Sequence, residues 1–393
     1  MTLGEKSNIL YLNHVSQMSG AEASLLSMLT HLNTSQFRPI VGLPDAGPFG
    51  EKLRMVDVQS EVIPHPRLQR SANPLNLLGQ YFAMRRGAGE IGAFVDDHDI
   101  DLVHANSLSS AICAAKAIGS SIPLVYHARD LRLHGRATRW LVERVDAIIA
   151  ISQAVAQRVA DVAPNAATKT SVIPNGVDAA GWTAKPSRER IIEELGLPEN
   201  ARLIGGVGQL VPWKNWPRFL SVGADVAARV PEARLIIIGD DLFNSHPGYR
   251  RKLEQLAGDL AIGGLTHFLG HRSDVADVVS ALDVFVHCAD EEPLGRAIME
   301  AMALERPVVA VNAAGPGELI VDGETGMLVP PRNTYAIADA VVAVLQDAAF
   351  GRRLGQAARA RIEDSFRPEQ TARLTEQLYQ EVLWRRLNAE GAR

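Results

Sequence analysis

The chain has 393 residues, 47% of them hydrophobic and 22% charged, with a formal net charge of −5. That length exceeds one ordinary core and suits two domains of roughly 180 residues each, and the acidic balance argues against a nucleic-acid binder, whose domain would be basic. The two cysteines, Cys113 and Cys288, both lie in apolar surroundings, so neither a disulfide scaffold nor a zinc site is expected.

The N-terminal MTLGEKSNILYLNHVS has no long apolar stretch, and nothing later reaches the ~18 apolar residues of a spanning helix. A cytoplasmic protein is therefore expected, with peripheral contact at the inner membrane face as a further option. Predicted strands run over 8–14, 39–44, 101–107, 123–128 and 147–152, and again over 201–210, 234–240, 265–271, 284–289 and 307–312. Most are continuously apolar, as strands buried on both faces should be. The segments between them are long enough for crossover helices, which implies parallel sheets. Between the two series, Pro174-Asn175-Gly176 signals a turn, and polar, Pro-containing sequence follows it. The predicted boundary lies near 182, giving domains 1–182 and 183–367. Each reads as a doubly wound Rossmann-like domain facing the other across a cleft, with the site at the C-terminal ends of the strands.

Several stretches carry candidate chemistry. QMSGAEAS (17–24) places Ser19, Gly20 and Ala21 between strand and helix, where backbone amides can meet a phosphate or a sugar. LNLLGQYFAMRR (75–86) reads either as a helix that touches a membrane or as one packed on the sheet. DDHDID (96–101) contains D-x-D strings, but they precede a strand and fall at its N-terminal edge, so no metal is expected there. VYHARD (125–130) ends a strand with His127, Arg129 and Asp130. Arg129, Arg132, Arg136 and Arg139 read as a solvated helix face, with an anionic acceptor or lipid surface as the functional alternative. His14 and His104 read as structural or cleft-lining.

In the second half, Gly206 and Gly208 allow close backbone approach, and Lys214 just beyond can neutralise phosphate as a point charge. Glu292 and Glu300 stand eight residues apart. In one unbroken helix they would lie about 12 Å apart along the axis and about 80° around it. Pro293 and Gly295 argue for a break, leaving Glu292 in a loop and Glu300 in the early turns of the next helix. That helix start offers free N–H groups to an anion.

From Glu292 onward, EPLGRAIMEAMALERPVVAVNAAGPGELIVDGETGMLVPP resembles the donor-binding stretch of glycosyltransferase family 4 (GT4), retaining enzymes of the α/β GT-B fold. The resemblance extends through SGAE (19–22), DLVHANS (101–107), VIPNGVD (172–178), the 206–215 loop, FLGHRSDV (268–275) and the final helix. It implies an N-terminal acceptor-binding domain and a C-terminal donor-binding domain, with residues from about 368 packing back on the former. By position, it implies that Glu300 accepts the ribose hydroxyls of a nucleotide and that Glu292 faces the donor sugar. It further implies that the amides of Leu294, Gly295 and Arg296 lie near sugar and phosphate, and that Lys214 binds the diphosphate. His127 would sit by the donor sugar and the acceptor, Gly20 would let its loop close over the phosphate, and the backbone around Leu269, Gly270 and His271 would read the base. Arg129 and Asp130 are the candidate acceptor contacts, and His127, Lys214 and Glu292 the candidate catalytic groups.

The sequence departs from the family at Gln209, where many relatives carry Arg. Glutamine can donate hydrogen bonds to phosphate but adds no charge, so weaker diphosphate stabilisation, or compensation by Arg218 or Arg296, is expected. The resemblance implies hexose transfer from a nucleotide-diphosphate sugar, UDP or GDP, to a glycan or lipid-linked acceptor in polysaccharide or glycolipid biosynthesis. The route would be a front-face one through an oxocarbenium-like state, with no metal and no further cofactor. A nicotinamide dehydrogenase needs a third glycine that GGVGQL lacks. A retaining hydrolase needs carboxyls ~5–5.5 Å apart across one bond, which a loop-plus-helix pair does not suggest. The remaining alternative is a degenerate GT-B protein that binds nucleotide-sugar without efficient transfer, for which Gln209 is the support.

Overall fold

The computed structural model describes residues 6–67, 73–182 and 188–391. The chain divides into two compact units, Met1–Gly176 with Pro368–Arg393, and Val177–Arg367. The division falls at the Pro-Asn-Gly turn itself, a few residues ahead of the boundary expected near 182.

The first unit is built on a seven-stranded sheet in the order β3-β2-β1-β4-β5-β6-β7. Its strands are β1 (Ser7–Leu12), β2 (Phe37–Leu43), β3 (Gln59–Val62), β4 (Leu102–Ala105), β5 (Leu124–Ala128), β6 (Ala147–Ala150) and β7 (Thr170–Val172). All neighbours pair in parallel, and Tyr11 lies in register with His104. Chain order reverses between β1 and β4, so the loops after those two strands diverge and leave a crevice. The helix Pro368–Gly391 belongs to this unit, and its Ala372, Leu378, Tyr379 and Val382 join Ile9, Tyr11, Leu25 and Phe37 in one buried cluster.

The second unit holds a six-stranded sheet in the order β10-β9-β8-β11-β12-β13. Its strands are β8 (Arg202–Val207), β9 (Ala233–Ile238), β10 (Thr266–Gly270), β11 (Val284–His287), β12 (Val308–Val311) and β13 (Met327–Val329). They too are all parallel, and the reversal lies between β8 and β11. Leu220, Leu235, Ile237, Val284, Val309 and Val341 lie in its core.

All ten predicted strands are present, and three more were not legible. β3 and β7 close the two edges of the first sheet and β13 one edge of the second. β3 and β7 carry polar residues and β13 is only three residues long, so none of them shows the longer apolar run of a central strand. QSEV and TSV show this plainly.

Candidate functional site

In the second unit the strand reversal gathers the chemistry. After β8 the chain makes a 3-10 turn over Pro212–Lys214 and enters the helix Trp216–Ala227 through Asn215, whose φ of 57° is the left-handed conformation asparagine tolerates. The Trp216 indole N–H donates to the Gln209 carbonyl at 2.9 Å, which ties the loop to the helix behind it. The loop delivers Lys214, whose Nζ stands 4.4 Å from the centre of the Trp213 ring.

The neighbouring loop follows β11. Lys214 Nζ donates to Glu292 Oε2 at 2.6 Å, and His287 Nε2, at the end of β11, lies 3.0 Å from the same oxygen. Burial pushes the Glu292 carboxyl up, but the Lys214 charge and the hydrogen bonds from His287 and Lys214 outweigh it and hold the group at about 2. Burial lowers the His287 imidazole, against the pull of Glu292. The Gly315 N–H donates to the Glu292 carbonyl at 3.0 Å. A Cβ on Gly315 would stand 2.3 Å from the Leu294 Cα, so only glycine lets this loop lie so close. The Leu294 side chain is buried, which leaves its backbone as the part that can touch a ligand.

Gly295, at φ 108°, starts the helix Arg296–Ala303. Glu292 therefore lies in the loop and Glu300 in the helix. Glu300 Oε1 accepts from Arg296 Nε at 2.7 Å. Burial raises the Glu300 carboxyl despite the opposing charges of Arg296 and Lys214.

Neither residue considered as a substitute cation for the missing arginine stands uncommitted. Arg218 holds Asp290 through two hydrogen bonds of 2.5 and 2.9 Å, and Arg296 holds Glu300. Asp290 and His287 escaped the sequence reading, although both lie within the stretch from β11 to Glu292. Asp290, two residues ahead of Glu292, was the available signal.

Beside this cluster the loops after β8, β9 and β10 meet through glycine. The Gly208 N–H donates to Ile238 O at 2.9 Å and the Gly239 N–H to Gly270 O at 2.8 Å. Gly239 has φ 135° and Gly270 φ 66°. Leu269 is half-buried and lines a shallow pocket outside β10 with Arg250, Glu254 and Phe268, away from Glu292.

In the first unit the reversal between β1 and β4 is spanned by amides. Asn106, after β4, donates to Asn13 Oδ1 after β1 at 2.8 Å, and Asn13 donates in turn to Glu22 Oε1 at 3.0 Å. Glu22 accepts the Ser19 backbone N–H at 3.1 Å and the Ser19 hydroxyl, which closes a capping box on the helix Gly20–Leu29. Gly20 is the first residue of that helix and is exposed.

Arg129 donates to Asn106 Oδ1 and Asn175 Oδ1, both at 2.8 Å, and its Nη2 lies 3.2 Å from His127 Nδ1. It is therefore a partly buried member of this network, which corrects its assignment to a solvated helix face. The helix that carries Arg136 and Arg139 begins only at Gly135. Asp130 is exposed. His104, read as structural or cleft-lining, places Nε2 3.0 Å from His127 Nδ1. Burial, the Arg129 charge and neighbouring His104 drive the His127 imidazole far below its ordinary value, and burial with Arg129 takes His104 down to about 3.

Among the described residues no group of His, Cys, Asp and Glu side chains is arranged to hold a metal ion. No single described helix is long and apolar enough to cross a membrane.

Two family models match the chain, one described as glycosyltransferase family 4 over residues 18–180 and one as glycosyl transferases group 1 over 187–361. Among curated proteins, the chain is 26% identical to an N-acetyl-alpha-D-glucosaminyl L-malate synthase of Bacillus anthracis, over 75% of this chain and 78% of that one. It is 27% identical to a GDP-mannose-dependent alpha-mannosyltransferase of Mycobacterium tuberculosis, over 80% of this chain and 81% of that one. Among solved structures, Anabaena Alr3699/HepE in complex with UDP and glucose superposes with a TM-score of 0.81 at 26% identity, covering 95% of this chain and 99% of that one. The same protein has been solved with UDP-glucose, with a TM-score of 0.80 at 27% identity.

Proposed function

The chain belongs to glycosyltransferase family 4 and is a glycosyltransferase enzyme of the GT-B fold, and from that we infer that it moves a hexose from a UDP-sugar to a glycan or lipid-linked acceptor with retention at the anomeric carbon. The observation that carries this reading is the Lys214–Glu292 pair at the strand reversal of the second unit, with Glu300 in the helix that follows. Relatives that act with nucleotide sugars, and a neighbour solved with UDP-glucose, support the donor class. The set of matches gives the degenerate, non-transferring alternative no support beyond Gln209.

The second unit is the donor-binding domain in this proposal. Glu300 accepts the ribose hydroxyls, and the backbone at Leu269 and Gly270 reads the base. Lys214 keeps one N–H on Glu292 and has two more for the diphosphate. The amides of Leu294, Gly295 and Arg296, at the start of the helix, meet sugar and phosphate, and Gln209 adds a neutral donor. Departure of the diphosphate is met by charges and N–H groups fixed in advance, which is where most of the rate acceleration arises. Glu292, held ionised, orients the sugar hydroxyls. The first unit supplies His127 to the substrate and Arg129 and Asp130 to the acceptor. The scheme contains no metal.

Thermal unfolding with UDP, GDP, ADP, dTDP and NAD tests the donor site. A ligand at about 100 times its dissociation constant adds about 2.7 kcal/mol of stability. UDP should raise the midpoint of the wild type and of neither Lys214→Ala nor Glu300→Ala. A response to GDP alone would change the base, and a response to NAD alone or to nothing would overturn the reading.

Peripheral membrane contact is part of the proposal. Leu75, Leu78, Tyr81 and Phe82, near the start of the helix Pro74–Asp97, are 76%, 53%, 50% and 59% exposed, so these turns do not pack on the sheet. Leu75, Leu78 and Phe82 share one face, and Arg85 and Arg86 follow one turn on, a pattern suited to an anionic lipid surface. Co-sedimentation with vesicles containing phosphatidylglycerol should be lost in Leu78→Glu/Phe82→Glu, and equal binding by that variant would remove this part.

A further inference from the structure

Four buried aromatic side chains form a line through the first unit, and the reading above uses only one of them, His127. Tyr11 sits in β1 and His104 in β4, His127 in β5, and Tyr379 in the helix Pro368–Gly391. The hydroxyls of Tyr11 and Tyr379 stand 3.2 Å apart, Tyr379 OH lies 2.5 Å from His104 Nδ1, and His104 Nε2 lies 3.0 Å from His127 Nδ1. The far nitrogen, His127 Nε2, is buried and has no hydrogen-bond partner.

Arg129 decides which way the hydrogens run. A guanidinium only donates, and Arg129 Nη2 lies 3.2 Å from His127 Nδ1. A hydrogen on Nδ1 would face the Arg129 N–H donor to donor. With Nδ1 as acceptor, His104 must carry its hydrogen on Nε2 to bond with it. His104 Nδ1 is then an acceptor too, filled by the one hydrogen of the Tyr379 hydroxyl, which goes to this nitrogen at 2.5 Å and not to the Tyr11 hydroxyl at 3.2 Å, so that Tyr11 donates to Tyr379. Every position between Tyr379 and His127 is assigned, and the hydrogen of His127 falls on Nε2. The low values imposed on both imidazoles by burial and Arg129 agree with uncharged rings.

We propose that Tyr379 and His104 are positioning residues that, with Arg129, fix the His127 tautomer with its hydrogen on Nε2, so that His127 donates a hydrogen bond to an oxygen of the bound substrate and does not act as a base. This rests on the reading of His127 as a substrate-contacting group. It gives the last helix a part in the chemistry, since Tyr379 is 275 residues from His104 in sequence. A buried donor with nothing to meet is destabilising, and a substrate oxygen at Nε2 would relieve that.

The tautomer is read directly by long-range 1H–15N correlation on protein labelled at histidine, with His127 assigned through His127→Gln. The expected spectrum shows a protonated Nε2 and a bare Nδ1 on His127, unchanged from neutral pH through the ordinary imidazole range for a group lowered well below it. A hydrogen on Nδ1, or a ring that titrates in that interval, would overturn the proposal. The kinetic arm uses Tyr379→Phe, which keeps the ring against Phe37 at 5.7 Å and removes only the hydroxyl. Turnover should fall about tenfold, the worth of one net hydrogen bond, with donor KM unchanged. That loss should vanish in a His127→Ala background, and an equal loss in both backgrounds would make Tyr379 merely structural. Should the wild type transfer no sugar, the functional reading falls while the spectrum still decides the tautomer.

Discussion

Lys214 Nζ and Glu292 Oε2 meet at 2.6 Å across the gap between β8 and β11, with both side chains largely buried. The contact joins the loops that follow the two strands between which chain order reverses. Removing one partner of such a pair leaves the other as an uncompensated buried charge, which costs about 3–5 kcal/mol. Lys214→Met should lose that much in urea unfolding at neutral pH, and Lys214→Met/Glu292→Gln should recover most of it. The sign with pH follows from the depressed carboxyl. Its contribution is present above the ordinary value of 4.5 and is lost as pH falls toward about 2. The gap between wild type and Lys214→Met should therefore close over that window, and a gap that stays constant would mean Glu292 is not the partner that matters.

Gln209 tests how the diphosphate is held. Its backbone carbonyl takes the Trp216 hydrogen bond, so a change of side chain leaves the loop anchored. Arg218 and Arg296 are committed to Asp290 and Glu300 and cannot fill in without breaking those pairs. Gln209→Arg should tighten UDP binding by about tenfold, the scale of one charge-assisted hydrogen bond. Calorimetric titration would show it, and an unchanged affinity would mean that this side chain points away from the phosphates.

What could be read in advance followed from period and punctuation. Long apolar runs such as RLIIIGD announced the central strands, and Pro293 with Gly295 announced that Glu292 and Glu300 part company between loop and helix. The sequence was silent where a residue acts through a partner distant along the chain. Tyr379 lies in an amphipathic helix pattern, and nothing nearby marks it as the neighbour of His104. Arg129 misled for the same reason, since its place among Arg132, Arg136 and Arg139 suggested solvent. Its side chain turns instead to Asn106 and Asn175.

Glu300 carries a pH dependence of its own. Burial raises its carboxyl above the ordinary 4.5, against Arg296 and Lys214. On acidification it takes up a proton earlier than an exposed carboxylate, which relieves the unliganded protein of a buried charge. A carboxylate that accepts ribose hydroxyls loses acceptor capacity on the same step. UDP affinity should fall as pH drops from neutrality toward the raised value, whereas Glu300→Gln should bind more weakly and nearly independently of pH. Parallel profiles for the two proteins would assign the titration to another group.

Gly239 should be the least replaceable residue beside the site. Its φ of 135° disfavours any side chain, and a Cβ there would stand 2.0 Å from the carbonyl oxygen of Gly208. Left-handed strain costs about 1–3 kcal/mol and forced overpacking about 1–3 kcal/mol more. The clash also displaces Gly208, which immediately precedes Gln209 in the loop that carries Lys214. Gly239→Ala should thus lower both stability and UDP affinity. Gly264→Ala, where an added Cβ meets nothing within 4 Å, should change stability by no more than about 0.5 kcal/mol. Urea unfolding and UDP titration of the two variants side by side make the check. Equal behaviour would mean that the loops after β8 and β9 can separate without disturbing Lys214.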